Sequence, residues 1–444
     1  MSRILYLSYD GIYDPLGQSQ VIPYLNGLSE MGHQITLISF EKKKLSGKTF
    51  NHYLRSPLDN AFIKWIPMVY HKYPPVFSTI YDLSRLKRKV KALLKSERFD
   101  IIHCRSYITA LIGLWAKRRY NIKFLFDTRG FWIEERVEGN LWNLNNSIYN
   151  YIFKYFKKKE KEFIGESDHI VSLTTNAIPY IESILHENTN QPGNYIVDPS
   201  STAITNPSVR ISVVPTCVDK KLFDPFNIDM NKQYKCRAEL GLSEDEFLLL
   251  YSGSIGTWYM LDEMLDFFNH LLIKLPGAKF LILTNNMDEI FTRIKEKKLP
   301  LYLNKHENQD FTSLLYRNSA NNILITSVSH TEMPLYISLS SATICFLRPA
   351  FSKKGSSATK IGESLVMGKP VITNSGWGDI DELILPGING WLVKNFNKTE
   401  FEKIIDDIIR KDTTPEKIHS MTLKNLSLDI GVKTYHEIYQ KLTN

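Results

Sequence analysis

The chain has 444 residues, 43% hydrophobic and 23% charged, an ordinary globular composition with more apolar material than one domain uses. Its 23 Tyr and 23 Phe argue against disorder, and no apolar run approaches the ~18 residues of a membrane span. A net charge of +8 suits an anionic partner, while four scattered cysteines, none in a CxxC pair, argue against a disulfide framework or zinc site and fit a reducing cytoplasm.

Short apolar runs alternate with longer amphipathic ones from the start. Arg3-Ile-Leu-Tyr-Leu-Ser8 reads as a buried first strand, not a signal peptide, followed by a helix over Gln18 to Met31 and a strand over Gln34 to Phe40. Asp100 to His103, Lys123 to Phe126, His169 to Leu173 and Ile211 to Val214 continue the series. Glu187 to Pro207 is rich in Asn, Ser, Thr and Pro and reads as a surface loop.

The rhythm then restarts. Phe247 to Tyr251 is a strand ending in a glycine turn, Met260 to Lys274 a helix, and Lys279 to Leu283, Asn322 to Thr326, Thr343 to Leu347 and Pro370 to Thr373 are strands. Phe401 to Arg410 and Pro415 to Leu442 read as closing helices. Such alternation predicts an α/β protein of two doubly wound, Rossmann-like domains with parallel sheets covered on both faces. The expected division is 1–217, a linker at 218–241 where Pro, Asp, Asn and Lys accumulate, 242–412, and a C-terminal helix, 413–444, packing back toward the first domain.

Open parallel sheets bind ligands beyond the carboxyl ends of their strands, so four loops matter. Gly17 and Gln18 open the helix after the first strand, where backbone amides suit an anion; an ordinary strand-to-helix turn fits equally, and the GxGxxG of a dinucleotide site is absent. Asp127-Thr-Arg129-Gly130-Phe-Trp132 combines charges and aromatics suited to a polyhydroxylated acceptor, with Asp127 on a hydroxyl and Arg129 on a phosphate, or forms a solvated salt-bridge cluster. Gly253 and Ser254 allow the close backbone approach that a diphosphate needs.

The fourth stretch is the most informative. Ser356-Ser357-Ala-Thr359-Lys360-Ile-Gly362-Glu363 opens with hydroxyl residues suited to capping a helix that ends at Gly368. Thr359 and Lys360 fall in the first turn, where amides, dipole and ammonium converge on a phosphate. Glu363 shares the face of Lys360 and suits two vicinal hydroxyls, as on a ribose. A capped helix carrying a Lys360–Glu363 ion pair accounts for the same residues.

These loops, in this order, resemble glycosyltransferase family 4, retaining enzymes of the GT-B fold. Val213-Val-Pro215-Thr-Cys-Val-Asp219-Lys-Lys-Leu-Phe223 is similar to the family's "VIPNGVD…LF" segment, and Asp168-His-Ile-Val-Ser-Leu-Thr174 to its "ADxIVxLT" strand. Asp100 to Tyr107 and Phe126 to Trp132 resemble "DVVHxRSY" and "FDxRGFW" of one subgroup, and Thr359-Lys360-x-Gly362-Glu363 a "PTKxGE" variant of the paired-glutamate motif. The resemblance implies a metal-independent transferase that carries a sugar from a nucleotide-diphosphate donor to a glycan or lipid-linked acceptor with retention of configuration, in surface polysaccharide or glycolipid assembly. It places Lys360 on the diphosphate and Glu363 on the ribose, with Gly17, Gln18, Gly253, Ser254, Ser356, Ser357 and Thr359 on the donor side. Lys360, Asp127 and Arg129 are the candidate catalytic residues.

Three departures stand out. The motif's first glutamate, which contacts the transferred sugar in the family, is replaced by Gly355; Gly253 to Met260 lacks the usual Arg and Lys; and Asp127-Thr128-Arg129 stands where a "TxH" segment is frequent. Lys353 and Lys354 are further candidates for diphosphate neutralisation. Asp379-Ile-Asp381 has the spacing of a metal-binding pair but falls where the family has a glycine-rich turn, so a structural role is expected. The rival readings are an epimerase or hydrolase of nucleotide-sugars on the same fold, and a non-catalytic glycan- or membrane-binding relative.

Basic clusters at Lys42-Lys43-Lys44, Arg85 to Lys91 and Lys154 to Lys159 all lie in the first half. The last two interleave apolar residues at helical spacing and fit an interfacial helix on the inner face of an anionic membrane as well as they fit a solvated face. No nucleic-acid-binding motif accompanies them.

Overall fold

A computed structural model describes residues 1–42, 62–189, 210–243, 245–286, 289–290, 293, 304–306, 315–317, 322–410 and 414–444. Lys43, Lys44 and the part of the expected surface loop from residue 190 onward lie outside them. The chain divides into two compact units.

The first unit comprises Met1–Cys217, Phe351–Ser357 and Leu426–Asn444. Among the described residues its sheet has seven parallel strands: β1 (Arg3–Ser8), β2 (Gln34–Glu41), β3 (Ile63–Val69), β4 (Ile101–Arg105), β5 (Lys123–Asp127), β6 (His169–Ser172) and β7 (Ile211–Val213), in the order 3-2-1-4-5-6-7. Strand β1 is buried on both faces, as a central strand of a doubly wound sheet must be. One face packs against the helices Phe77–Ser96, Ser106–Tyr120 and Ser147–Glu166 through Leu86, Ile108 and Phe163. The other packs against Ile22–Glu30 and Leu428–Thr443 through Leu25, Tyr435 and Tyr439.

Two differences from the sequence expectations have local causes. The helix expected over Gln18 to Met31 is two helices, Pro15–Gln20 and Ile22–Glu30, broken at Val21 because Pro23 has no N–H to return to the preceding turn. Strand β3 went unread because Pro67 interrupts it; as an edge strand, bonded only to β2, it tolerates the proline.

The second unit comprises Val218–Ala350 and Ala358–Asn425. Its eight described strands are β8 (Leu248–Ser252), β9 (Lys279–Leu283), β10 (Asn304–His306), β11 (Leu315–Arg317), β12 (Ile323–Thr326), β13 (Ala342–Cys345), β14 (Val371–Asn374) and β15 (Gly390–Val393), in the order 10-11-12-9-8-13-14-15. The sheet is parallel except at one edge, where β10 and β11 run antiparallel. Residues 218–241, expected as a linker, belong to this unit: Asp229 caps the helix Met230–Glu239 through bonds from Asn231 N and Lys232 N, and Cys236 and Leu240 enter its core. The single closing helix expected from Pro415 is likewise two, Pro415–Leu426 and Leu428–Thr443, parted at Ser427. The second of these belongs to the first unit.

Candidate functional site

In the second unit the strand order reverses between β8 and β13, the crevice where open α/β sheets bind ligands. Two loops and one helix meet at its carboxyl edge. Gly253 follows β8 with φ +131, and a Cβ placed there would stand 2.3 Å from Lys360 Nζ. A side chain is therefore excluded twice, by backbone conformation and by the lysine. The helix Thr359–Val366 starts at the same edge and stops in a Schellman turn: Gly368 N bonds Leu365 O at 3.0 Å, Lys369 N bonds Ser364 O at 2.9 Å, and Gly368 takes φ +70.

The Lys360 ammonium lies 3.7 Å from the Tyr259 ring centroid and 4.7 Å from that of Tyr251, and donates to the Tyr251 hydroxyl at 3.4 Å. Among the described residues no carboxylate pairs with it. Burial works against its charge, yet Tyr259 and Tyr251 outweigh burial and hold the group above the usual lysine range. The site thus presents a cation held in place by neutral ring faces, its charge uncompensated. Tyr251 also donates to Ser254 O, which fixes the turn.

Glu363, 6% exposed, faces His330 from the loop after β12, with Oε1 to Nε2 at 3.2 Å. His330 in turn packs edge-on against Phe223 at 5.5 Å between centroids. Neither element of the alternative reading of this helix is formed: its N-cap is Ala358, with no side-chain cap, and Lys360 and Glu363 each turn to other partners. Tyr251, Tyr259 and His330 were missed by sequence reasoning. Only the want of a cation in Gly253 to Met260 hinted that something there must hold Lys360.

Ser356 and Ser357 are bonded within the first unit. Ser357 Oγ and Thr216 Oγ1 are 2.8 Å apart and Thr216 N donates to the same hydroxyl, while Ser356 N closes a turn on Lys353 O. The preceding turn is clamped in that unit as well. Glu138 accepts from Phe351 N and Ser352 N, Phe351 stacks on Phe131, and Thr174 Oγ1 donates to Lys354 O. Lys353, 5% exposed, is bonded to Glu135 at 2.6 Å, and Lys354 lies against the Phe351 ring.

Gly355, where the resemblance leads one to expect a glutamate, abuts Gly130 backbone to backbone. A Cβ on Gly355 would sit 3.1 Å from Gly130 Cα, and one on Gly130, whose φ is +101, would sit 3.0 Å from Gly355 O. A close crossing of two glycines occupies the position.

Asp127, expected on an acceptor hydroxyl, is wholly buried. Its Oδ2 accepts from Tyr435 OH at 3.0 Å and stands 3.5 Å from His103 Nε2. Burial pulls its carboxyl upward, but the Arg129 guanidinium, with His103 and Arg105 beyond, holds it below the usual carboxylate range. The group organises the core under the loop and presents no surface to a ligand. Arg129, at φ 55, is part-exposed and donates to Gln20 Oε1 at 3.4 Å. Gly17 lies against the Gly11–Ile12 backbone, where a Cβ would meet Gly11 O at 2.2 Å, and Gln18 Nε2 is bonded to Ile12 O. Both close their own loop. Asp381 accepts from Gly376 N at 3.0 Å and holds a turn.

A sequence profile described as Glycosyltransferase Family 4 matches residues 20–182, and one described as Glycosyl transferases group 1 matches residues 233–424. No curated protein sequence matches the chain. A glycosyltransferase from Rickettsia africae ESF-5 is 20% identical, with 99% of this chain and 98% of that one covered and a TM-score of 0.64. Sucrose-phosphate synthase from Thermosynechococcus elongatus is 13% identical, with 100% and 99% covered and a TM-score of 0.67. Anabaena HepE, solved with UDP and glucose, is 13% identical, with 99% and 100% covered and a TM-score of 0.64. At these identities the solved structures establish the fold.

Proposed function

Because the chain belongs to the GT-B glycosyltransferases, we propose that it transfers a sugar, with retention of anomeric configuration, from a nucleoside-diphosphate donor to a glycan or lipid-linked acceptor in cell-surface polysaccharide or glycolipid assembly. The observation that carries this reading is the Lys360 ammonium, unpaired with any carboxylate among the described residues and set beside the side-chain-free Gly253. A diphosphate gains negative charge as the glycosidic bond to it breaks. A fixed cation, the amide of Ser254 and the first turn of Thr359–Val366 therefore stabilise the departing group more than the bound donor. Glu363, oriented by His330, suits the ribose hydroxyls. HepE, solved with UDP-glucose, supports a nucleotide-sugar as donor.

No metal takes part in this account. The acceptor would be held by the first unit, with Arg129 as its anionic-group contact and Asp127 acting only through Arg129 and Tyr435. The basic helices of that unit favour work at the inner face of an anionic membrane. The test is incubation of the protein with a panel of UDP-, GDP-, CDP- and ADP-sugars and lipid-linked acceptors, with the product's anomeric configuration read by NMR. Transfer with retention, lost in Lys360→Ala while the melting curve is unchanged, is expected. Donor consumption without transfer, or undiminished transfer by Lys360→Ala, would overturn the reading.

A further inference from the structure

Among the described residues no helix is long and apolar enough to cross a membrane, yet the first unit exposes large apolar side chains in an ordered way. The helix Phe77–Ser96 begins with Phe77, Ile80 and Tyr81 exposed at 72%, 58% and 51%, and the helix Ser147–Glu166 begins with Ile148 and Tyr151 at 61% and 72%. Both helices cover the same face of the sheet, one on each side of Ser106–Tyr120, and both run back from the carboxyl edge of parallel strands. Their apolar ends therefore lie at one edge of the unit.

The outward charges near the starts of those helices are equally one-sided. Behind Phe77 and Tyr81, Arg88 and Lys91 continue the same outward face at helical spacing, opposite buried Leu86 and Val90. The only acid of that helix, Asp82, is buried against His71. On the second helix Lys154 and Lys158 follow Tyr151 on the outward face; its acids come only in the later turns, where Glu160 is buried beside Lys157 and Glu162 and Glu166 pair with Lys159 and Arg118. An ordinary solvated face mixes both signs and pairs them at i, i+4. This one offers cations behind an apolar tip, the pattern of a helix end that enters the headgroup layer of an anionic bilayer.

We propose that the first unit docks on anionic phospholipid bilayers through the starts of these two helices, with Phe77, Tyr81, Ile148 and Tyr151 entering the interface and Arg88, Lys91, Lys154 and Lys158 meeting lipid phosphates. The surface deepens the proposed function and rests on it only for its purpose, which is to hold the carboxyl edge of the first sheet against lipid-linked acceptors. Docking itself needs no donor.

Vesicle flotation tests it, with phosphatidylcholine alone or mixed with phosphatidylglycerol, and UDP-sugar binding measured in parallel. The wild-type chain floats with the mixed vesicles, not with phosphatidylcholine alone, and salt releases it. The pairs Phe77→Ser with Tyr81→Ser, Ile148→Ser with Tyr151→Ser, and Arg88→Glu with Lys91→Glu each weaken flotation by roughly tenfold or more and leave donor binding unchanged. All substitute exposed side chains, and unaltered melting confirms that each variant folds. Three results would overturn the proposal: wild-type protein that stays in solution with mixed vesicles at low salt, variants that float as well as wild type, or a solution dimer that Phe77→Ser dissociates. Loss of flotation with donor binding intact, and the converse, separate this surface from the donor site.

Discussion

At the level of single residues, Lys360 and the side chains that touch it carry the functional argument. The ring faces of Tyr251 and Tyr259 keep an ammonium in place without neutralising it, which leaves its charge for a ligand. Tyr259→Phe keeps the ring and is expected to bind donor almost as wild type does. Tyr259→Leu removes a contact of about 0.5–2 kcal/mol and should weaken binding up to about thirtyfold by thermal shift or titration. Gly253→Ala places a methyl carbon 2.3 Å from the lysine's present position at a strained φ, so donor binding should fall while the rest of the unit folds. Away from this site, Tyr435→Phe leaves Asp127 Oδ2 without its hydroxyl donor. Denaturant unfolding should show a loss of about 1–3 kcal/mol, the usual consequence of stranding a buried polar group.

At the scale of elements, the helix Leu428–Thr443 closes the first unit and sets a pH limit on it. His33 Nε2 and His436 Nδ1 are 2.9 Å apart, and Ser2 N donates to His33 Nδ1. Burial, with help from His436 and the N-terminal amine, pushes His33 down to about 4; burial, with Lys441 and Arg210, does the same to His169. A histidine lowered in the folded state stays neutral there while the unfolded chain takes up a proton. The stability it contributes is complete above about pH 6.5 and is lost as pH falls toward 4. Melting temperature should therefore drop across that window, and His33→Gln should shallow the slope; a flat profile would remove this account of the helix's docking.

The same scale shows what was legible in the sequence. Central strands such as Arg3–Ser8 and Leu248–Ser252 are short continuous apolar runs and announce themselves, as does the helix stop at Gly368. Edge strands do not: Ile63–Val69 contains a proline, and Asn304–His306 and Leu315–Arg317 are three residues each. At the candidate site, the types and spacing of Lys360, Glu363 and Gly253 suited a diphosphate and a ribose but suited a capped helix and an ordinary turn equally, and only the family resemblance favoured the donor reading. His330 and Tyr259 were not readable, because long-range packing alone brings them there. Asp127 misled for the opposite reason: its loop looks like a ligand loop, and only tertiary burial reveals the carboxylate as an internal strut for Arg129, His103 and Tyr435.

For the whole molecule, two Rossmann-like units account for a 444-residue chain, and the chain's last helix and the turn Phe351–Ser357 both belong to the first unit. The Gly130–Gly355 crossing gives a physical reason why the expected glutamate is absent. Gly355→Glu should disturb the first unit, detectable as a lower melting temperature, and should confer no gain in transfer. The net charge of +8 gathers on helices that the vesicle experiment addresses. The central claim is that the second unit grips a nucleoside diphosphate through Lys360. Calorimetric titration of the wild-type chain and Lys360→Ala with UDP, GDP and ADP tests it most directly. The account predicts that one of these binds the wild type and that Lys360→Ala binds it about tenfold to a hundredfold more weakly, with unfolding unchanged, the loss expected for one charge-assisted contact. Equal affinity in the two proteins, or no binding of any diphosphate by the wild type, would contradict it.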